Sequence, residues 1–280
     1  MNKLILEDYN LEMTLLGGQA FNWDFEDECF YGFTQSRIIK LMPVETCRGK
    51  SLLQWQTYPE NDDIDFLKSY LRLDVNYKNI LNKIQKDRYV KTAVKKYPNL
   101  RLVKQDFEET LLSFIISTNN NIKSIRKYIR LLSQKFGKSI NVNGDKYYLF
   151  PRTEVIAEAK LEDLLSCSLG FRAKYLKGTA KYLLENKLTK KIHKLSEENT
   201  RTELKKIKGV GDKITDCVMV FSLGFDNITP LDVWGKRVLT DFYKVNKKMK
   251  YKDMRRWIEN YFEGYAGWAG QFLFEYIRHQ

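Results

Sequence analysis

The chain has 280 residues, of which 43% are hydrophobic and 30% charged, proportions typical of a soluble globular protein. No apolar run reaches the roughly 18 residues that a transmembrane helix needs, and acidic residues near the N-terminus argue against a signal peptide, so we expect an intracellular protein. Residues 106–280 hold +11 of the net charge of +13, and this excess favours a polyanionic partner such as nucleic acid.

Strand patterns dominate the first 105 residues. Short runs rich in aromatic and β-branched side chains predict antiparallel strands at Cys29–Thr34, Arg37–Met42 and Ser51–Tyr58. Helical patterns follow at Ile64–Leu71 and Tyr77–Lys96. We therefore predict an N-terminal domain over residues 1–105 that is built on an antiparallel β-sheet and also contains helices.

The apolar spacing becomes helical from Asp106 onward. Asp106 is expected to cap a helix that continues to Ser117, and Gly137 is expected to end the next one. Further helices are predicted at Thr153–Ala159, Glu162–Cys167, Arg172–Asn186, Thr200–Lys206, Lys213–Leu223, Val233–Tyr243, Lys252–Phe262 and Gly270–Ile277. The sequence thus predicts an α+β fold, with a larger all-α domain over residues 106–280.

Residues 204–223 have the pattern of two helices joined by a glycine-containing hairpin. Gly209, Val210 and Gly211 form the turn, and Asp212 is expected to cap the second helix. Two glycines let a nucleic-acid phosphate approach the backbone, and the N-terminus of a helix favours negative charge. An ordinary helix–helix turn is the alternative, because short connections containing glycine are common.

This hairpin and the segment Pro230–Val233 together resemble the helix-hairpin-helix (HhH-GPD) DNA glycosylase superfamily. Four further segments resemble its 8-oxoguanine DNA glycosylase/lyase branch, of prokaryotic type; they are Gly17–Trp23, Phe114–Asn121, Leu169–Tyr175 and Tyr265–Ala269. The resemblance implies a TBP-like N-terminal sheet and a base-excision-repair enzyme. Such an enzyme flips 8-oxoguanine out of double-stranded DNA, excises it, and then nicks the strand by β-elimination.

The resemblance assigns the chemistry to Lys213 and Asp232. In the family, a lysine just after the hairpin attacks the sugar C1′ and forms a Schiff base, from which the 3′ phosphate is eliminated. A carboxylate at the position of Asp232 stabilises the developing positive charge and helps to move protons. Asp232 is also expected to cap the helix that follows it, and the two roles are compatible.

A lesion-base pocket and a site for the opposite base are also implied by the resemblance. The carbonyl of Gly18 would accept the N7–H of 8-oxoguanine, a hydrogen that guanine lacks. The flipped base would lie between Cys217 and Phe274, although core packing is the alternative for both side chains. Asn119 and Arg172 match contacts to the opposite base, and Phe171 matches a wedge beside it, with core packing again as its alternative.

Three positions depart from the pattern of the family. Ser124 replaces a second arginine that reads the opposite cytosine, so we expect weaker discrimination among opposite bases. Gly270 stands where a glutamine should read the Watson–Crick edge of the lesion, and Gln271, one residue later, is the candidate to replace it. Trp234 replaces a histidine expected to contact a phosphate, and an indole carries no charge.

The resemblance further implies how the protein meets its partners. The hairpin backbone at Gly209, Val210 and Gly211 would contact a DNA phosphate. A structural cation would bind the backbone carbonyls of Lys205, Ile207 and Val210, and no cofactor would be required for catalysis. We expect a monomer without membrane association, located in the cytoplasm of a prokaryote and associated with the nucleoid.

Three other functions stay open at this point. A monofunctional alkylbase glycosylase would rely on the aspartate alone, which leaves Lys213 without a role. An endonuclease III-like enzyme would need a C-terminal cluster of four cysteines, and no cysteine follows Cys217. A DNA-binding module without catalytic activity would use only the hairpin, which leaves Asp232 and the segment around Gly18 unexplained.

Overall fold

The computed structural model describes residues 1–45, 50–61 and 63–280, so Cys47 lies outside the described residues. These residues form two compact units. The first contains Met1–Tyr9, Ala20–Ile64 and Asp106–Gly209, and the second contains Asn10–Gln19, Asp65–Gln105 and Val210–Gln280. Each unit therefore draws on both sides of residue 105, and the domain division proposed there stays a prediction.

A five-stranded antiparallel sheet forms part of the first unit. Its strands are β1 Asn2–Glu7, β2 Trp23–Glu26, β3 Cys29–Phe33, β4 Ile38–Glu45 and β5 Lys50–Tyr58, in the order β1-β5-β4-β3-β2. The three strands predicted from the sequence are its three central strands. Both edge strands, β1 and β2, were missed by the sequence patterns; each contains a single buried residue.

The remainder of the described chain is mainly helical. The helices are α1 Leu11–Leu16, α2 Ile64–Tyr70, α3 Tyr77–Ile84, α4 Arg88–Lys96, α5 Phe107–Ile116, α6 Ile122–Phe136, α7 Thr153–Glu158, α8 Leu161–Leu165, α9 Arg172–Glu185, α10 Leu188–Ile192, α11 Glu197–Lys205, α12 Asp212–Phe221, α13 Val233–Arg237, α14 Tyr251–Tyr261 and α15 Ala266–Arg278. The α+β fold class is confirmed. A β-hairpin, with strands β6 Ser139–Val142 and β7 Asp145–Tyr148, interrupts the helices of residues 106–280.

Caps explain where several helices begin and end. Asp106 caps α5 by accepting the N–H of Glu109 at 3.0 Å, as predicted. Asp87 accepts the N–H of Val90 at 2.8 Å and starts α4, so the single helix predicted over Tyr77–Lys96 is wrong and is two helices. Gly137 ends α6 as predicted, and a Cβ there would lie 1.9 Å from the carbonyl oxygen of Leu149.

None of the helices within the described ranges is both long enough and apolar enough to cross a bilayer.

Candidate active site

Helix α12, in the second unit, carries the predicted nucleophile in its first turn. The cap of this helix is Gly211, whose extended backbone (φ −96°, ψ −173°) precedes Asp212 as the first helical residue. The prediction that Asp212 caps the helix is therefore wrong by one residue, because the helix is already entered at the carbonyl of Gly211, which accepts the N–H of Thr215 at 3.0 Å. Lys213 follows, half-buried, at the positive end of the helix dipole.

Cys217 lies one helical turn beyond Lys213 and on the same face of α12. Its thiol is buried and hydrogen-bonded to the Lys213 side chain, and it interacts electrostatically with Asp232. Burial raises the pKa of this thiol to about 12. Cys217 therefore presents a neutral, polarisable surface beside the amine rather than a competing thiolate.

Asp232 is the cap of helix α13, as predicted. Its Oδ1 accepts the N–H of Gly235 at 2.9 Å, which fixes the direction of the carboxylate. Glycine is needed at position 235, because a Cβ there would lie 2.9 Å from the carbonyl oxygen of Pro230. Cys217 interacts electrostatically with both Lys213 and Asp232, so these three predicted residues lie near one another in the second unit.

The turn after α1 brings Gly18 to the same unit in a conformation that favours glycine. Its φ is +93°, in the left-handed half of backbone space. The next residue, Gln19, is fully buried and anchors the turn: its Nε2 donates to the carbonyls of Thr14 and Arg101 at 2.9 and 2.7 Å, and its Oε1 accepts the N–H of Val103 at 2.9 Å. This network fixes the position of the Gly18 carbonyl, and sequence patterns gave no signal for it.

Gln271 and Phe274, both predicted to contact the lesion base, share one face of helix α15 with Glu275. Gln271, Phe274 and Glu275 have the spacing of i, i+3 and i+4. Glu275 is fully buried; its Oε2 accepts from Arg278 Nη2 at 2.7 Å, and its Oε1 lies 3.5 Å from Gln271 Nε2. A Cβ on Gly17 would lie 2.8 Å from Glu275 Oε1, so this carboxyl group lies against the glycine turn.

Position 270 has no room for a side chain. A Cβ on Gly270 would lie 1.7 Å from the Oγ1 of Thr229, a buried residue that donates to the carbonyl of Ala266 at 2.8 Å. The glutamine expected at this position therefore does not fit this structure. Gln271, 7% exposed and the next residue along α15, stays the candidate to read the Watson–Crick edge.

Glu275→Gln is expected to change how stability depends on pH. Burial raises the pKa of Glu275 from 4.5 to about 7, so its contribution to stability is fully present below pH 4.5 and is lost as the pH rises through 7. Relative to wild type, the free energy of unfolding of the variant should thus rise by up to about 3 kcal/mol between pH 4.5 and pH 8. Urea unfolding at both pH values measures this change, with Glu12→Gln on the surface as control. If the difference in free energy of unfolding between the variant and wild type is the same at both pH values, the prediction is contradicted.

The residues predicted to meet the opposite base lie in the first unit. Arg172 Nε donates to the carbonyl of Thr118 at 2.7 Å, and Nη2 donates to that of Asn119 at 3.1 Å. Asn119 has a left-handed backbone (φ +51°), so the guanidinium holds an unusual turn in place. Phe171 is 53% exposed, which excludes the alternative that it is a core residue.

The turn between α11 and α12 has the exposure that backbone contacts require. Gly209 and Gly211 are exposed, whereas the side chain of Val210 is buried. Gly209 has φ +94°, and a Cβ there would lie 2.5 Å from the ring of Tyr175, so glycine is required on both counts. Among the residues whose positions are described, no group of three or more His, Cys, Asp or Glu side chains is placed to hold a metal ion.

Comparison with known families covers nearly the whole chain. Residues 3–111 match the family described as 8-oxoguanine DNA glycosylase, N-terminal domain, and residues 112–263 match the HhH-GPD superfamily of base excision DNA repair proteins. The chain belongs to the HhH-GPD superfamily. The resemblance seen in the sequence motifs is thereby confirmed, as is the order of an antiparallel sheet followed by a mostly helical region.

Individual relatives are similar to this chain over most of their length. A structure of the Clostridium acetobutylicum 8-oxoguanine glycosylase/lyase with double-stranded DNA containing cytosine opposite 8-oxoguanine has a TM-score of 0.89 and 30% identity, and covers 99% of this chain and 96% of that chain. A structure of MBOgg1 with a low affinity DNA ligand has a TM-score of 0.90 and 31% identity, and covers 100% and 96%. The N-glycosylase/DNA lyase of Saccharomyces cerevisiae is 29% identical over 271 residues, 88% of this chain and 71% of the relative.

Proposed function

We propose that this HhH-GPD protein is a bifunctional DNA glycosylase/AP lyase that flips 8-oxoguanine out of duplex DNA, excises it and nicks the abasic strand in base excision repair. The observation that carries the proposal is the neighbourhood of Lys213, Cys217 and Asp232 within a chain of this superfamily. A monofunctional glycosylase leaves the amine beside Cys217 without a role, and a DNA-binding module leaves Asp232 with no role beyond its cap of α13.

The chemistry begins at the amine of Lys213. Its nitrogen bonds to the sugar C1′ as the glycosidic bond breaks and the electron pair of that bond leaves with the base. Loss of a proton from the nitrogen and opening of the sugar ring give a protonated Schiff base, and removal of a C2′ proton then expels the 3′ phosphate. Asp232 stabilises the positive charge that develops on the sugar and accepts a proton from the lysine.

Recognition of the lesion rests on Gly18, Gln271, Cys217 and Phe274. The Gly18 carbonyl, held by Gln19, accepts the N7–H of 8-oxoguanine, and an unmodified guanine would face it with an acceptor. Gln271 contacts the Watson–Crick edge. Cys217 and Phe274 cover the two faces of the base; the neutral thiol suits one face, and a half-buried aromatic ring suits the other.

Binding of DNA uses the hairpin and the residues of the first unit. The N–H groups of Gly209, Val210 and Gly211 contact a phosphate, and the structural cation occupies the carbonyls of Lys205, Ile207 and Val210. The last carbonyls of a helix lack intrahelical partners and carry negative partial charge, which fits a cation at Lys205. The protein acts as a monomer in the prokaryotic cytoplasm, at the nucleoid.

Discrimination among opposite bases is expected to be weak, because Ser124 stands at a position where the family pattern has arginine. Single-turnover excision of 8-oxoguanine opposite each of the four bases should differ by less than about tenfold, since one bidentate arginine contact is worth about 1–3 kcal/mol. Ser124→Arg should raise the preference for cytosine. Ser124→Lys is the matched control for charge, and an equal gain with it, or strong cytosine preference in wild type, would contradict the role of position 124.

The activity itself is tested on a 5′-labelled duplex with one 8-oxoguanine. A bifunctional enzyme nicks the strand without added alkali, and alkali adds little further product. Nicking that appears only after alkali would assign the monofunctional alternative. Binding of the duplex with no base release and no nicking would leave the DNA-binding module as the better description.

A further inference from the structure

A chain of hydrogen bonds joins helix α12 to the residue that precedes Asp232. Asp216, on α12, is fully buried, and its Oδ2 accepts from the hydroxyl of Tyr251 at 2.6 Å. The same hydroxyl accepts the backbone N–H of Leu231 at 3.1 Å. Tyr251 is the first residue of α14, so one phenol oxygen connects three separate segments of the second unit.

The two ends of this chain are the two segments that carry the proposed chemistry. Asp216 lies between Lys213 and Cys217 on α12, three residues from the nucleophile. Leu231 is peptide-bonded to Asp232, whose own carboxylate is fixed by the N–H of Gly235. Tyr251 therefore links the Lys213 helix to the backbone next to Asp232.

The surroundings of Asp216 hold its side chain in place as an acceptor. Arg255, also on α14, places Nη1 at 3.9 Å from Oδ1, and its Nε lies 3.3 Å from Glu259. A buried carboxylate needs such partners, because an unpaired one is costly. With Oδ1 facing Arg255 and Oδ2 facing Tyr251, the carboxylate has one orientation, and the tyrosine hydroxyl is held with it.

We propose that Tyr251 is a positioning residue for the glycosylase reaction, which holds the Asp232 segment at its working distance from Lys213. The inference rests on the proposed function of those two residues. Loss of the hydroxyl leaves a buried acceptor on Asp216 and the N–H of Leu231 without their shared partner, and the segment has to move to find others. Displacement of a reacting group by about 1 Å can cost about 100-fold in rate.

The test compares Tyr251→Phe with Tyr243→Phe in the full-length protein. Tyr243 is the matched control: it is half-buried in the same unit, and its hydroxyl donates to Asp87 Oδ1 at 2.9 Å. For both variants we would measure the single-turnover rate of 8-oxoguanine excision at saturating enzyme, the Kd for a duplex with a reduced abasic site, and urea unfolding.

Tyr251→Phe should lower the single-turnover rate by about 10- to 100-fold, while the Kd changes by less than about twofold. Tyr243→Phe should lose comparable stability and keep its rate within about twofold of wild type. Asp216→Asn keeps an acceptor oxygen for the tyrosine hydroxyl and should therefore retain more activity than Tyr251→Phe. If Tyr251→Phe does not fold, two variants of Asp216 test the positioning role instead. Asp216→Asn should keep the excision rate, whereas Asp216→Leu, which offers the tyrosine hydroxyl no acceptor, should lose it.

Two results would overturn the positioning role while the wild type is active. One is an unchanged rate in Tyr251→Phe, and the other is an equal loss of rate in Tyr243→Phe, which would make the effect one of stability alone. A wild type that excises no 8-oxoguanine would instead overturn the proposed function, and this inference would fall with it.

Discussion

Lys213→Gln is expected to abolish strand nicking and to lower base excision by at least about 10³-fold, the scale on which removal of a nucleophile acts in enzymes. Glutamine keeps a polar side chain, one bond shorter, near the buried thiol of Cys217, so the helix should be preserved. The amide nitrogen has no lone pair available for attack on C1′, so neither the Schiff base nor the β-elimination that depends on it can form.

The measurement is the single-turnover rate of excision and of nicking on a duplex with one 8-oxoguanine. Lys252→Gln is the matched control, because this lysine is exposed on α14 and its replacement removes the same charge from the same unit. The control should behave like wild type. Nicking by Lys213→Gln at a rate within tenfold of wild type would show that another amine carries the reaction.

Asp232→Asn is expected to lower the single-turnover rate of excision by about 10²–10³-fold, within the range that a positioned acid–base group contributes. Asparagine caps a helix as well as aspartate does, so the bond from the Gly235 N–H should survive and α13 should remain intact. The charge that stabilises the oxocarbenium-like sugar is lost, and so is the acceptor for the proton of the lysine.

A second substitution separates the chemical role of Asp232 from its structural one. Asp232→Ala removes both the charge and the cap, and should cost about 1 kcal/mol of stability more than the asparagine variant. The two variants should nevertheless show similar losses of excision rate when each is measured on folded protein. If Asp232→Asn keeps the full rate and only Asp232→Ala loses it, the residue acts as a cap alone.

The parts of the fold that sequence patterns predicted are those with a strong local signal. The central strands β3, β4 and β5 are rich in aromatic and β-branched residues, and the side chain of Asp106 caps the start of a helix. The break at Asp87 was missed, because apolar spacing continues through it. The strands β6 and β7 were missed since each has only four residues and Val142 is the single buried residue of the pair.

In the candidate site, too, the residues that could be predicted are those with a local sequence signal. Lys213, Asp232 and Gly18 stand in recognisable motifs, so the motifs alone are enough to assign their positions. Tyr251 could not be assigned in this way, because its hydroxyl acts on residues 35 and 20 positions away and lies in a segment with no motif. Gln19 is similar: it lies inside a motif, but two of its partners, the carbonyl of Arg101 and the N–H of Val103, are more than 80 residues away. Such partners are brought together only by tertiary folding.

Borohydride trapping followed by mapping of the DNA-linked peptide tests directly whether Lys213 forms the Schiff base. Wild-type protein would be incubated with an 8-oxoguanine duplex and borohydride, and the covalent complex digested and sequenced by mass spectrometry. We expect a single linked peptide with the sugar remnant on the Nζ of Lys213, and no complex with Lys213→Gln. Base release without any covalent complex, or a linkage to a different amine, would contradict the lysine mechanism.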